Sequence, residues 1–132
     1  VQNFDEYIGI PFDTKGKTKQ GCDCWRLVCM VYKDRLGIEL PDYPDVEINE
    51  TVESLLKITR LMKHNRDNWL KVEKPEPFDV ILIRTGSMLY HSGLVIDRHR
   101  MLHVDRGINS TIERFDSFMW KDKVEGFYHY VG

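Results

Sequence analysis

The pattern of apolar and polar positions divides the chain into two unlike halves. Cys24, Leu27, Val28, Val31 and Tyr32 recur at i, i+3, i+4, i+7 and i+8, and Arg35-Leu36 continues the series. That spacing lays one stripe along one face of an α-helix. Asp23 stands where an N-cap belongs, and Gly37 where a helix leaves through a left-handed residue. Val52, Leu55, Leu56, Thr59 and Met62 predict a second helix over roughly 50–64, capped by Asn49 and preceded by an acidic loop over 40–49 with two prolines. The period then changes. Residues 78–83, 89–96 and 101–104 are short runs rich in Val, Ile and Leu, parted by Thr85-Gly86-Ser87 and by 97–100, which read as turns. Residues 111–115 and 127–131 read as two further strands, 69–72 as a short strand or the start of a loop, and 116–120 as one helical turn. Residues 1–21 are a lead-in anchored by Tyr7, Ile8, Ile10 and Phe12, with a turn at Lys15-Gly16-Lys17. N-terminal helices packed on a later antiparallel β-sheet make an α+β fold. One domain over 1–132 is expected, with no linker.

Composition narrows the function. A chain of 132 residues, 42% hydrophobic and 30% charged, is globular and able to bury a core. A net charge of −2 excludes a strongly basic nucleic-acid binder. No apolar run approaches the roughly 18 residues of a membrane span. Asp5, Glu6, Asp13 and three lysines within the first twenty residues do not read as a signal peptide, and a chain opening on Val1 reads as processed or trimmed. Three cysteines make no complete disulfide framework. Cys22 and Cys24 are awkwardly close for a bridge, and Cys29 reads as a small buried hydrophobe.

Three residues could carry chemistry. Cys24 is the first residue of the capped helix, where the macrodipole and free backbone N–H groups favour a thiolate. Asp23 opposes this as a nearby negative charge. Taken alone, such a cysteine is more often simply packed under its helix. His91 opens an apolar strand, and Gly93 on the same face leaves room for a close approach beside it. His103 lies twelve residues later, where a tight turn would bring it beside His91 across the sheet. Either histidine alone reads as structural. Together a helix-start Cys and two strand histidines make a nucleophile, a base and an orienter. Cys22, Cys24, His91 and His103 could instead bind zinc, although Cys-x-Cys opening a helix is a less favourable spacing than Cys-x2-Cys.

The motifs then become specific. Gly21-Cys22-Asp23-Cys24-Trp25-Arg26-Leu27-Val28 resembles the nucleophile motif of the NlpC-type cell-wall cysteine peptidases, a papain-like family. Ile8-Gly9-Ile10-Pro11-Phe12 is similar to that family's Gly-x-Pro-Tyr lead-in. Leu36-Gly37-Ile38-Glu39-Leu40-Pro41 is similar to its Gly-Ile-x-Leu-Pro stretch, and Pro77-Phe78-Asp79-Val80-Ile81-Leu82 to its Pro-Gly-Asp strand. His91-Ser92-Gly93-Leu94-Val95-Ile96 is similar to its His-Val-Gly strand, with Leu102-His103 at its second histidine. The matches run in order from about residue 7 to 104. Trp25 and Leu40-Pro41-Asp42-Tyr43 look most like phage tail-tip members.

The resemblance implies a papain-like domain that hydrolyses peptide bonds of bacterial peptidoglycan, typically after a D-isoglutamyl residue, without a cofactor or metal. Cys24 would be the nucleophile, His91 the base and His103 its orienter. Backbone N–H at the helix start would meet the oxyanion, with Asp23 and Arg26 on the substrate side. It also implies a virion tail tip acting in the cell envelope, with the stem peptide and other tail-tip proteins as partners. A structural tail-tip protein that keeps the fold is the alternative, and an amidase or acyltransferase would share the same residues. The sequence departs from the family at Phe12 for Tyr, Arg26 for Gly and Phe78 for Gly.

Overall fold

The computed structural model describes residues 3–40, 68–85 and 89–132. The helix expected over 50–64 and nearly all of the acidic loop lie outside them. Helix α1, Cys24–Val31, begins where the pattern puts it. Asp23 is extended, and its Oδ1 accepts the Arg26 N–H at 2.8 Å, which satisfies one of the donors a helix start leaves open. The helix runs on into a π-helical segment, Tyr32–Leu36, and ends at Gly37 with φ 67°.

The expected stripe of α1 is buried, and so are Trp25 and Arg26 beside it. The lead-in is more structured than its sequence suggests. It forms a small antiparallel hairpin of β1 (Lys17–Thr18) and β2 (Gly21–Cys22). Upstream, the Ile10 N–H donates to Ser110 Oγ at 2.7 Å, the Gly9 N–H to the Ser110 carbonyl at 2.8 Å, and the Ser110 N–H to the Ile10 carbonyl at 2.8 Å.

The main sheet has six strands: β3 (Trp69–Val72), β4 (Val80–Thr85), β5 (Leu89–Val95), β6 (Arg100–Asp105), β7 (Ile108–Arg114) and β8 (Val124–Tyr130). Their order is β3-β8-β4-β5-β6-β7, antiparallel throughout. The last two strands start three residues earlier than their apolar runs. Residues 116–120 form turns rather than a helical turn, and a 3-10 turn follows at Lys121–Lys123. The stitching of the lead-in to Ser110 covers part of the free edge of β7, which would otherwise offer unpaired backbone groups.

Alternation gives the sheet two buried faces. Val80, Leu82, Leu94, Leu102 and Val104 pack with α1, whereas Ile81, Ile83, Val95 and Met101 pack on the other side with Phe115 and Trp120. Burial on both sides is why β4 reads as an unbroken apolar run. Just before it, Phe78 holds φ 74° at the position where the family resemblance has Gly. A β-carbon disfavours that conformation by roughly 1–2 kcal/mol. It is held by the Phe78 N–H on the Val95 carbonyl at 2.8 Å and the Tyr32 hydroxyl on the Phe78 carbonyl at 2.5 Å.

Candidate active site

The two strand histidines meet. His91 Nε2 and His103 Nδ1 are 2.8 Å apart, with the rings edge to face. Strands β5 and β6 pair antiparallel through Leu94–Leu102 and Val95–Met101, which sets His91 diagonally across from His103 on one face. A β-carbon built on Gly93 would sit 3.3 Å from His103 Cβ and 3.2 Å from Ile81 Cγ2. The room left by this glycine is therefore taken up by the neighbouring strands, not by a ligand. His103 is fully buried, with the Trp120 indole edge-on at 5.4 Å, and its Nε2 bonds to the Glu113 carboxylate. Neither Asp97 nor Asp105 replaces His103 as the partner of the His91 ring: Asp97 accepts from His99 and Arg100 instead. Burial first, and then the neighbouring His103, hold His91 well below the usual histidine range, so it is neutral at pH 7.

Cys24 is buried at the start of α1. Burial pushes its thiol up to about 11, and the Asp23 charge adds to the rise. These outweigh the helix-start effect that favours a thiolate. Ser92, through side chain and backbone, pulls in the opposite direction. Successive β5 residues thus serve different partners. Ser92 points to the α1 side with Leu94, and His91 to the other side with Gly93 and Ile83. Among the described residues no hydrogen bond joins Cys24 to His91. Strand alternation turns the Ser92 side chain toward the helix, and Cys24 meets β5 at Ser92, the residue that follows His91. Asp105 acts electrostatically on both groups, raising each.

Asp23 and Arg26 are turned toward each other. Arg26 is 7% exposed, and its Nη1 reaches Asp23 Oδ2 at 3.3 Å and the Thr14 carbonyl at 2.8 Å. It therefore clamps the lead-in to the helix start instead of extending into solvent. Phe12, where the resemblance has Tyr, packs partly buried against the core under the Arg106 guanidinium. Of the other histidines, His99 pairs with Asp116 at 2.7 Å and His129 with the buried Asp79 at 2.6 Å. Trp25 and Trp69 join Tyr32 and Tyr130 in an aromatic cluster. All three cysteines are free, and no three His, Cys, Asp or Glu side chains among the described residues are grouped to hold a metal.

Two residues went unread in the sequence, Glu113 and Ser92. Their only signal was position: a carboxylate inside a strand pattern, and a hydroxyl next to His91 where the family motif has Val.

The sequence profile of the NlpC/P60 family matches residues 9–129. The murein DD-endopeptidase MepS/murein LD-carboxypeptidase of Escherichia coli K12 is 23% identical over 125 residues, which are 93% of this chain and 57% of that protein. The gamma-DL-glutamyl hydrolase of Bacillus subtilis 168 is 26% identical over 137 residues, covering 96% of this chain and 27% of that protein. The chain thus spans little more than half the length of the first relative and about a quarter of the second. Among solved structures, the NlpC/p60 domain of the peptidoglycan hydrolase SagA superposes with a TM-score of 0.62 at 18% identity, over 95% of this chain and 91% of that one. An NLP/P60-family protein similar to lipoprotein from Staphylococcus aureus gives 0.64 at 20% identity, over 97% and 40%. These structures share the α+β fold. The matched span takes in nearly the whole chain, the capped cysteine and both histidines included, and on that ground the chain belongs to the NlpC/P60 family.

Proposed function

We propose that this domain is a cysteine peptidase that hydrolyses a peptide bond in the stem peptide of bacterial peptidoglycan, on the carboxyl side of a D-isoglutamyl residue. Cys24 is the nucleophile, His91 the general base and His103 the residue that holds the His91 ring. The reading rests on one observation. A buried thiol at a capped helix start touches the residue next to a neutral histidine whose Nε2 is already engaged.

The resting pair is neutral on both sides, so the thiol proton passes to His91 Nδ1 as sulfur attacks the scissile carbonyl. Backbone N–H at the start of α1 meets the oxyanion. The proton then leaves on the departing amine, and water hydrolyses the thioester to return the thiol. The step needs Cys24 Sγ and His91 Nδ1 brought within hydrogen-bond reach from the separate sides of β5 they face here, a movement that substrate binding has to supply. Asp23 and Arg26 act on the substrate side indirectly, by fixing the lead-in against the helix start.

The test is digestion of defined muropeptides by wild type, Cys24→Ala and His91→Ala, read by mass spectrometry. Wild type should cut one bond, and each variant should lose at least about a hundredfold of that rate. Intact substrate with wild type would leave the alternative of a domain that keeps the fold as a building block.

The finer reading is a phage tail-tip component acting in the cell envelope. Leu40-Pro41-Asp42-Tyr43 and Trp25 support it, though Trp25 also has a packing role in the aromatic cluster. Peptides of this chain in purified virions would support the tail-tip reading. Their absence from virions, with the chain found in host envelope fractions, would overturn it.

A further inference from the structure

We propose that Glu113 is a positioning residue that sets which nitrogen of His91 is free to take a proton. Glu113, His103 and His91 form one hydrogen-bonded chain. A carboxylate only accepts, so His103 must present N–H at Nε2. In a neutral ring its Nδ1 is then a bare acceptor. That acceptor faces His91 Nε2 at 2.8 Å, so His91 carries its proton on Nε2 and keeps the lone pair on Nδ1. Nδ1 has no hydrogen-bond partner among the described residues. The carboxylate thus writes the tautomer of a ring it does not touch.

Two features keep the chain of bonds defined. His103 is fully buried beneath Trp120 and against Gly93, so its ring cannot turn without displacing both. The Glu113 side chain is 35% exposed, so the relay ends at solvent and its last member can be exchanged without opening a cavity. Reversed polarity has a definite consequence. If His103 donated from Nδ1, a neutral His91 would hold its proton on Nδ1 and could not act as a base there.

The kinetic part rests on the proposed role of His91; the tautomer part does not. Nitrogen-15 chemical shifts of the imidazoles in the full chain at pH 7, from long-range proton–nitrogen correlation, should give His91 as the Nε2–H tautomer and His103 likewise. In Glu113→Gln and Glu113→Leu both rings should lose that preference and show mixed tautomers. If wild type hydrolyses muropeptides, kcat should fall roughly 10- to 100-fold in both variants with KM little changed, part of the 10²–10⁴ a positioned base supplies. An Nδ1–H tautomer on His91 in wild type, or unchanged tautomers in both variants, overturns the proposal. The expected tautomers in a wild type that cuts nothing would support it while ending the peptidase reading.

Discussion

The two faces of the sheet at β5 treat their reactive groups in opposite ways. On the α1 side, Cys24 sits in an apolar enclosure with Ser92 as the contact that eases its ionisation. On the other side, His91 and His103 pass their hydrogen bonds along to Glu113 and reach solvent. One residue of chain separates the two environments, Ser92 facing one way and His91 the other. Burial raises an acid and lowers a base, so both faces push toward neutrality and the site rests without a charged pair. On the proposed mechanism, reactivity comes from a proton transfer made when substrate arrives, not from a standing thiolate.

The largest effect that would break this comparison is on alkylation. With its thiol at about 11, Cys24 should react with iodoacetamide about a thousandfold faster at pH 10 than at pH 7. The modified peptide, followed by mass spectrometry, measures this. A rate that levels off by pH 8 would mean the enclosure does not suppress the thiolate.

Removing Asp23 should cost the most stability. Asp23→Ala takes away the helix cap and leaves Arg26 buried without its carboxylate, a loss of about 3–5 kcal/mol in urea unfolding. A loss under 1 kcal/mol would mean that Arg26 finds water easily and the helix start is not enclosed. Gly93→Ala crowds Ile81 and His103 on the face away from α1 and should cost about 1–3 kcal/mol. It should also lengthen the His91–His103 contact, visible as changed imidazole shifts.

Acid should weaken the fold through His91. Its folded value lies below its unfolded one, so the unfolded chain binds more protons in that window. The contribution is present above the unfolded histidine range near pH 6.5 and is lost as pH falls through the lower folded value. Urea midpoints at pH 7 and pH 5 should separate in wild type, and the gap should narrow in His91→Phe. The smallest effect belongs to Ser92, whose buried Oγ has no regular hydrogen-bond partner. Ser92→Ala should change stability by less than about 1 kcal/mol yet slow Cys24 alkylation at pH 8, because a donor to the thiolate is gone.

The sequence alone determined a good deal of this. The i, i+3, i+4 stripe and the Asp23 cap located α1, since helix periodicity and capping are local. The apolar runs located the strands, though not their early starts at Ile108 and Val124, where polar residues take part in backbone pairing. The motif order gave the family. The twelve-residue spacing put His103 beside His91, because a short turn fixes antiparallel register.

Tertiary structure decided the rest. Asp105 pairs with Ile108, but His103 pairs with Thr111, so β6 and β7 slip by one residue between them. That bulge turns Glu113 onto the face of His103 and sends Ile112 to the α1 side. Without it, alternation would have reversed the two, and no local pattern announces a bulge. The same holds for the facing of Ser92 toward Cys24, and for Arg26, which only the fold of the lead-in makes a buried clamp. Each depends on which face of a strand meets which neighbour. A residue's face is set by long-range pairing, and a period read along one segment cannot contain it.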